Sequence, residues 1–271
     1  VHAESDELVN FYKDELVKEG KTQMKYYAPS RPLICETSAL AQLNAYSQAL
    51  KCKIYIVHLT SREGLNICKS SNGRMIVETC PHYLTFTSDV YEEKGPRAIQ
   101  SPPVRKEEDK DALWQGILDG SVKTVGSDHC PFYLREKQLD DFSKVPLGTP
   151  GMETLLPVVY SEGVAKGRIP ITKVAEVLSE NPAKILNLEH KGKIEPGYDA
   201  DFVLLDPMED YVMTDDMAVT TAGYSTFSGM KFYGKVKETY IRGHLVYADN
   251  ELKVPKGFGQ FQARKPIDTN V

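Results

Sequence analysis

Apolar positions in the first half of the chain switch between a helical period and short continuous runs, and the switching predicts an alternation of helices and strands. Behind the acidic opening Ser5-Asp6-Glu7, the residues Leu8, Phe11, Tyr12, Leu16 and Val17 recur at helical spacing until Gly20 stops them. A second helix is read from about Glu36 to Leu50, with Leu40, Leu43, Ala45, Tyr46 and Leu50 forming much of its buried face. The run Ile54-Tyr55-Ile56-Val57 follows directly and, being short, β-branched and continuous, suits a fully buried parallel strand. The cycle then repeats. Ser61 can cap a helix through about Ser70, Asn72-Gly73 turns the chain, and Met75-Ile76-Val77-Glu78-Thr79 is the next strand. A helix from about Glu107 to Leu118, carrying Leu113, Trp114 and Ile117, leads to a strand at Val122-Lys123-Thr124-Val125-Gly126. Complete strands are thus expected at about 53–58, 74–79 and 122–127, with Val1-His2 as the tail of one more.

Such an order implies a parallel sheet with right-handed crossovers, closed into a barrel or left open. After residue 150 the pattern turns helical, at about Met152 to Ala165 and Thr172 to Leu178, with a short turn from Asn181-Pro182 to Leu188. From Lys191 glycines punctuate short strand-like runs such as Phe202-Val203-Leu204-Leu205 and Thr239-Tyr240-Ile241, which reads as a separate antiparallel β unit. The expected domains are therefore 1–190 and 191–271.

Composition narrows the function classes. With 33 Lys and Arg against 38 Asp and Glu in 271 residues, the formal charge is −5, which argues against an electrostatic binder of nucleic acid or membrane. Five cysteines, at 35, 52, 68, 80 and 130, are odd in number and contain no C-x-x-C pair, so neither a disulfide framework nor a zinc knuckle is expected, and a reducing cytosol is the simplest home. No run approaches the roughly 18 apolar residues of a membrane span, and the first residues lack the pattern of a signal peptide.

The chemistry stands at the C-terminal ends of the expected strands. His2 follows Val1, His58 ends the run 54–57, and Asp128 follows Val125-Gly126-Ser127. In parallel α/β sheets and barrels, active sites assemble at that edge from several strands. Two imidazoles and a carboxylate there are the ingredients of a zinc or other borderline-metal site, although no short-spaced ligand pair accompanies them. His129 and Cys130 adjoin Asp128, but neighbouring strand residues point to opposite faces, which disfavours a Cys/His nucleophile pair. His82 is expected to pack near the site without ligating, and His190 and His244 to be structural or at the surface. The charge run Arg105 to Lys110 reads as a solvated helix start.

Four segments carry a resemblance to a known family: Gly126-Ser127-Asp128-His129-Cys130-Pro131-Phe132, Glu78-Thr79-Cys80-Pro81-His82-Tyr83-Leu84, Ser101-Pro102-Pro103-Val104-Arg105, and Lys191 through Asp201. They look like the cyclic amidohydrolases, in the dihydropyrimidinase and hydantoinase branch, and the resemblance runs through essentially the whole chain, including Val1-His2-Ala3-Glu4 and Asn181-Pro182-Ala183-Lys184. It implies an α/β fold, a (β/α)₈ barrel of the metal-dependent type flanked by a β-sandwich, with a binuclear and usually zinc centre. Carried over by motif, His2 and His58 would bind one metal and Asp128 the other. Two cations would acidify a bridging water and polarise the ring carbonyl, while Asp128 shuttles the proton to the leaving nitrogen. Ser101 matches a residue that holds the imide edge of the substrate, and Leu147 stands where hydantoinases commonly have Asn. A main-chain contact there would tolerate Leu147; a side-chain contact would change specificity.

The resemblance has a gap. The family's H-x-H pair and its carboxylated lysine both belong upstream of Val1-His2-Ala3, and no H-x-H occurs among the six histidines. The 271 residues are therefore expected to hold the second half of the barrel and the C-terminal part of the β-sandwich, with an upstream segment of comparable size in the native protein, and to bind metal weakly and have no hydrolase activity without it. The expected function is hydrolysis of dihydropyrimidines or hydantoins to N-carbamoyl amino acids, by a cytoplasmic protein that acts on a small cyclic amide or imide and assembles as a homo-dimer or tetramer. The alternatives are a non-catalytic scaffold of the same fold, which loss of ligands would betray, and an allantoinase or dihydroorotase, which the run from Asp128 to Phe132 disfavours.

Overall fold

The computed structural model describes residues 1–266, so the last five residues of the expected 191–271 segment lie outside the described residues. The chain divides into two compact units, one of Val1–Leu155 with Met213–Met230 and the other of Leu156–Val212 with Lys231–Val271. This division follows packing, whereas a boundary near residue 190 follows the change from helical to strand character.

In the first unit, α1 (Asp6–Lys18) starts at Ser5, whose hydroxyl accepts the Leu8 N–H, and carries Asp6 and Glu7 in its first turn, where the helix dipole favours negative charge. α2 (Leu33–Leu50) begins three residues earlier than the apolar period suggests, immediately behind Pro32, whose fixed φ suits a helix entry. Then come β1 (Ile54–Ile56), α3 (Arg62–Lys69), capped by the Ser61 hydroxyl on Gly64 N–H, and β2 (Met75–Thr79). The short helices α4 (Pro81–Thr85) and α5 (Val90–Glu93) precede α6 (Glu107–Asp119) and β3 (Val122–Val125). β2 matches its run, whereas β1 and β3 are each one residue shorter than theirs, because pairing stops where the chain turns out toward His58 and Asp128.

The three strands form one parallel sheet in the order β1-β2-β3. Ile54 pairs with Met75 and Ile56 with Val77, and between β2 and β3 the register shifts at Val77/Glu78, so that Val77 meets Val122 but Glu78 meets Thr124. Such a bulge re-aims one side chain. Here the Glu78 carboxylate accepts the Tyr55 hydroxyl at 2.7 Å, and the same hydroxyl lies 2.6 Å from Thr124 Oγ1. Val1 forms no strand of its own, yet it runs beside β1, with its amino group on Tyr55 O and its carbonyl accepting Val57 N–H. Leu40, Leu65, Val77, Leu113, Ile117 and Val122 are buried in this unit's core. α7 (Leu134–Lys137) and the stretch Met213–Met230 close it: Leu134 N–H donates to Ala222 O, Arg97 pairs with Asp215, and Phe86 stacks on Phe227.

The apolar period at 152–165 appears as α8 (Leu155–Val158), whose first residue ends the first unit's long segment, followed by a π-helical stretch Val159–Ala165; in the second unit the period at 172–178 appears as α9 (Ile171–Ala175) followed by a π-helical stretch Glu176–Glu180. α10 (Asn181–Ile185) comes next. Beyond it β4 (Phe202–Asp206), β5 (Tyr211–Val212), β6 (Lys231–Phe232), β7 (Lys235–Ile241), β8 (His244–Ala248) and β9 (Glu251–Leu252) form an antiparallel sheet β4-β7-β8-β9 and a two-stranded ribbon β5-β6. Phe202 stacks on Tyr240 across β4 and β7 at 4.5 Å. Gly234 is required between β6 and β7: its φ is +76°, and a Cβ there would lie 2.5 Å from the Tyr160 ring.

Candidate functional site

The three strand-end residues all belong to the first unit, and local structure brings two of them into direct contact. His58 leaves β1 with φ 45°, and Asp128 leaves β3 with the same φ of 45°, a left-handed conformation that few residues other than glycine adopt. Backbone strain of this kind persists only where the surroundings enforce it. Around His58 they do: Leu59 N–H donates to Glu78 O, Thr79 Oγ1 donates to Leu59 O, and both bonds fix the turn just after the imidazole. Gly126 N–H donates to Thr79 O on the approach to Asp128.

His2 Nδ1 and His58 Nε2 stand 2.9 Å apart. The other nitrogen of His2, Nε2, lies 3.0 Å from Glu4 Oε2. A carboxylate on Nε2 selects the tautomer that carries its proton there and leaves the Nδ1 lone pair facing His58. Burial, with a smaller push from His2, drops the His58 imidazole to about 4, so it is neutral near pH 7. Enclosure raises the Asp128 carboxyl above its usual range and the neighbouring His2 opposes that rise.

Glu4 is the hub of the polar network. Its side chain is 2% exposed and receives Arg31 Nη2 at 2.6 Å, Arg31 Nε at 3.2 Å and Ser101 Oγ at 3.1 Å, in addition to His2. Burial alone would raise its pKa, but the bonds from His2 and Arg31 outweigh burial and hold it at about 2. Ser101 is thereby tied to the same carboxylate as His2. Its loop is held by tyrosines: Tyr27 donates to Gln100 O, Tyr83 to Pro102 O, and Tyr91 accepts Val104 N–H. Leu147 lies on a second loop, which joins the first through the bond from Gly148 N–H to Ile99 O.

Other candidates fall into place by their partners. His129 Nδ1 accepts the backbone N–H groups of Gly151 and Met152, while Cys130 Sγ faces Leu147 O at 4.0 Å, so the two do not form a nucleophile pair. His82 is buried with its ring 4.1 Å from that of Tyr83, and its Nε2 has no hydrogen-bond partner among the described residues. His190 and His244 lie in the second unit against Tyr198 and Phe258. Sequence reasoning missed Arg31, Glu78 and Lys137; of these only Glu78, an acid inside an otherwise apolar strand, carried a signal in the chain itself. Gly126 gives a test of the Glu78 position, because a Cβ there would lie 2.6 Å from the Glu78 carboxyl carbon. Gly126→Ala in the full-length protein is expected to lower stability by about 1–3 kcal/mol, read from the urea midpoint, and an unchanged midpoint would show that Glu78 has room to move.

The donors present suit part of a metal centre. One ring nitrogen of His2 and one of His58 converge at 2.9 Å, as two ligands of a shared cation would, but a catalytic zinc takes three protein ligands. Among the described residues no group of three or more His, Cys, Asp or Glu side chains is arranged to hold a metal ion. The pair His2 and His58 fits two ligand positions, and the described residues do not by themselves complete a site. No helix among them is long and apolar enough to cross a membrane.

A model of the amidohydrolase family matches residues 1–246. D-phenylhydantoinase of Escherichia coli O1:K1 / APEC is 35% identical over 276 residues, an alignment that covers 98% of this chain and 60% of that protein. Among solved structures, D-hydantoinase (dihydropyrimidinase) from Thermus sp. superposes with a TM-score of 0.93 at 28% identity over 98% of this chain and 60% of the other. L-hydantoinase (dihydropyrimidinase) from Arthrobacter aurescens does so with a TM-score of 0.93 at 31% identity over 97% and 60%. The chain thus spans about 60% of the length of the relatives it matches.

Proposed function

Because this chain belongs to the amidohydrolase family, with relatives in the dihydropyrimidinase and hydantoinase branch, we propose that the protein it forms part of hydrolyses the cyclic amide bond of dihydropyrimidines or hydantoins to N-carbamoyl amino acids. The observation that carries the reading is the convergence of His2 Nδ1 and His58 Nε2 at 2.9 Å at the C-terminal edge of the parallel sheet, with Asp128 at the next strand end but one. The three parallel strands are read as part of a (β/α)₈ barrel, and the antiparallel strands from residue 191 onward as the C-terminal part of a β-sandwich.

In this reading His2, His58 and Asp128 are the chain's share of a metal centre, of zinc by the chemistry of its donors, and the remaining ligands come from outside these residues. Bound metal supplies an acidified water and a polarised carbonyl. The chain's own residues do the rest. Glu4 keeps the His2 proton on Nε2, and so keeps Nδ1 free to bind. Asp128 takes the proton from the attacking water and delivers it to the ring nitrogen as the amide bond breaks, so that this nitrogen leaves as the neutral NH2 of the N-carbamoyl group. Ser101 and the main chain at Leu147 hold the imide edge, and their loops are joined at Gly148 and Ile99. The substrate is a small neutral ring, in keeping with a net charge of −5 and no basic patch in the sequence.

The test is a substrate panel on the full-length protein, with dihydrouracil, hydantoin, allantoin and dihydroorotate, before and after dialysis against a chelator. Turnover of the first two, lost to the chelator and restored by zinc, is the expected result. Purification without metal and with no turnover of any of the four would instead favour a scaffold.

A further inference from the structure

Lys137 ends α7 and is fully buried, yet it makes no ion pair among the described residues. Its ammonium donates instead to three backbone carbonyls, Ile99 O at 2.7 Å, Pro146 O at 2.7 Å and Gly148 O at 2.9 Å. A buried cation is tolerated only where each proton has an acceptor, and three protons meet three oxygens here. Burial still pushes its pKa down to about 7. Two of these acceptors flank Leu147 and the third lies two residues before Ser101, so one side chain grips both loops.

We propose that Lys137 is a positioning residue for substrate: it fixes the separation of the Ser101 and Leu147 segments and turns the Leu147 carbonyl toward the ring. Leu147 stands at a bend, where the chain changes direction between Pro146 and Gly148. The carbonyls of Pro146 and Gly148 are drawn to Lys137, whereas that of Leu147 is left out of the clamp and faces Cys130 Sγ at 4.0 Å. The loop cannot relax by bulkier packing, because a Cβ at position 148 would fall 2.5 Å from Cys130 O. From its other end the loop is held by His129 through Gly151 and Met152 N–H. Specificity at Leu147 then comes from the main chain, which accounts for a leucine where hydantoinases commonly have asparagine.

This rests on the reading of Ser101 and Leu147 as substrate contacts, and the test separates the two. In the full-length metal-loaded protein, Lys137→Met and the milder Lys137→Gln, which keeps two N–H donors, are compared with wild type by steady-state kinetics and by hydrogen exchange over residues 99–101 and 146–148. Loss of a buried charge-assisted clamp is expected to raise KM for dihydrouracil about tenfold in Lys137→Met and less in Lys137→Gln, with kcat within about threefold and metal content unchanged. Exchange should rise in both segments together. A merely structural role would lower stability without splitting KM from kcat. If Lys137→Met does not fold, Lys137→Gln carries the comparison. Unchanged exchange in the two segments overturns the clamp whatever the kinetics, and faster exchange with an unchanged KM overturns its link to substrate. A wild-type protein that turns over no cyclic amide sinks the functional reading itself, and the substrate role of Lys137 with it.

Discussion

Asp128→Asn in the full-length protein is expected to lower kcat for dihydrouracil or hydantoin by about 10³-fold or more. The substitution is nearly isosteric, so packing at the strand end changes little, but the amide can neither accept a proton from water nor carry negative charge. General acid and base transfer by a positioned side chain is worth roughly 10²–10⁴-fold, and Asp128 is also read as a ligand, so the two losses coincide. The φ of 45° at this position favours the change as a test, since Asn tolerates the left-handed region as well as Asp does. Steady-state kinetics with metal analysis of the variant decides it; turnover within tenfold of wild type would remove Asp128 from the chemistry.

The second large effect is on stability. Glu4→Ala leaves Arg31 without its carboxylate in a mostly buried setting and frees His2 Nε2, while Ser101 Oγ keeps only its bond from Arg31 Nη2. Breaking a buried ion pair by removing one partner costs about 3–5 kcal/mol, well above the 0–1 kcal/mol of an exposed pair. The pH dependence follows from the same group. The Glu4 pKa in the folded state, about 2, lies below its ordinary 4.5, so its contribution is complete above about pH 4.5 and is lost as pH falls toward 2. Urea unfolding of wild type and variant at pH 7 and pH 3 reads both: the gap between them should be large at pH 7 and smaller at pH 3. A gap below about 1 kcal/mol at pH 7 would mean that solvent reaches the pair.

Much of this arrangement is legible in the residues alone. The continuous runs at 54–57, 75–79 and 122–126 become the parallel strands because a β-branched stretch between turn signals has few other ways to be buried. His58 and Asp128 stand out because ionisable residues directly after such runs have a defined place at the sheet edge. What the periodicity does not carry is side-chain convergence between residues distant in the chain, 27 apart for Glu4 and Arg31 and 56 apart for His2 and His58. Nothing local marks Arg31 as the partner of Glu4, which it meets only in the folded chain. Lys137 reads as an ordinary lysine in a charged stretch, and its burial depends on two loops closing over it from either side. The bulge at Val77/Glu78 likewise escapes a pattern of period two, because a strand with one register shift keeps the same composition as a regular one.

Binding of catalytic metal by His2, His58 and Asp128 is decided by elemental analysis of the full-length protein beside its His2→Ala/His58→Ala double variant, with folding checked by circular dichroism. Stoichiometric zinc or a similar divalent metal is expected in the wild type, with loss of at least one equivalent in the folded double variant and loss of cyclic amide hydrolysis with it. Full metal occupancy and undiminished turnover in the double variant would contradict it.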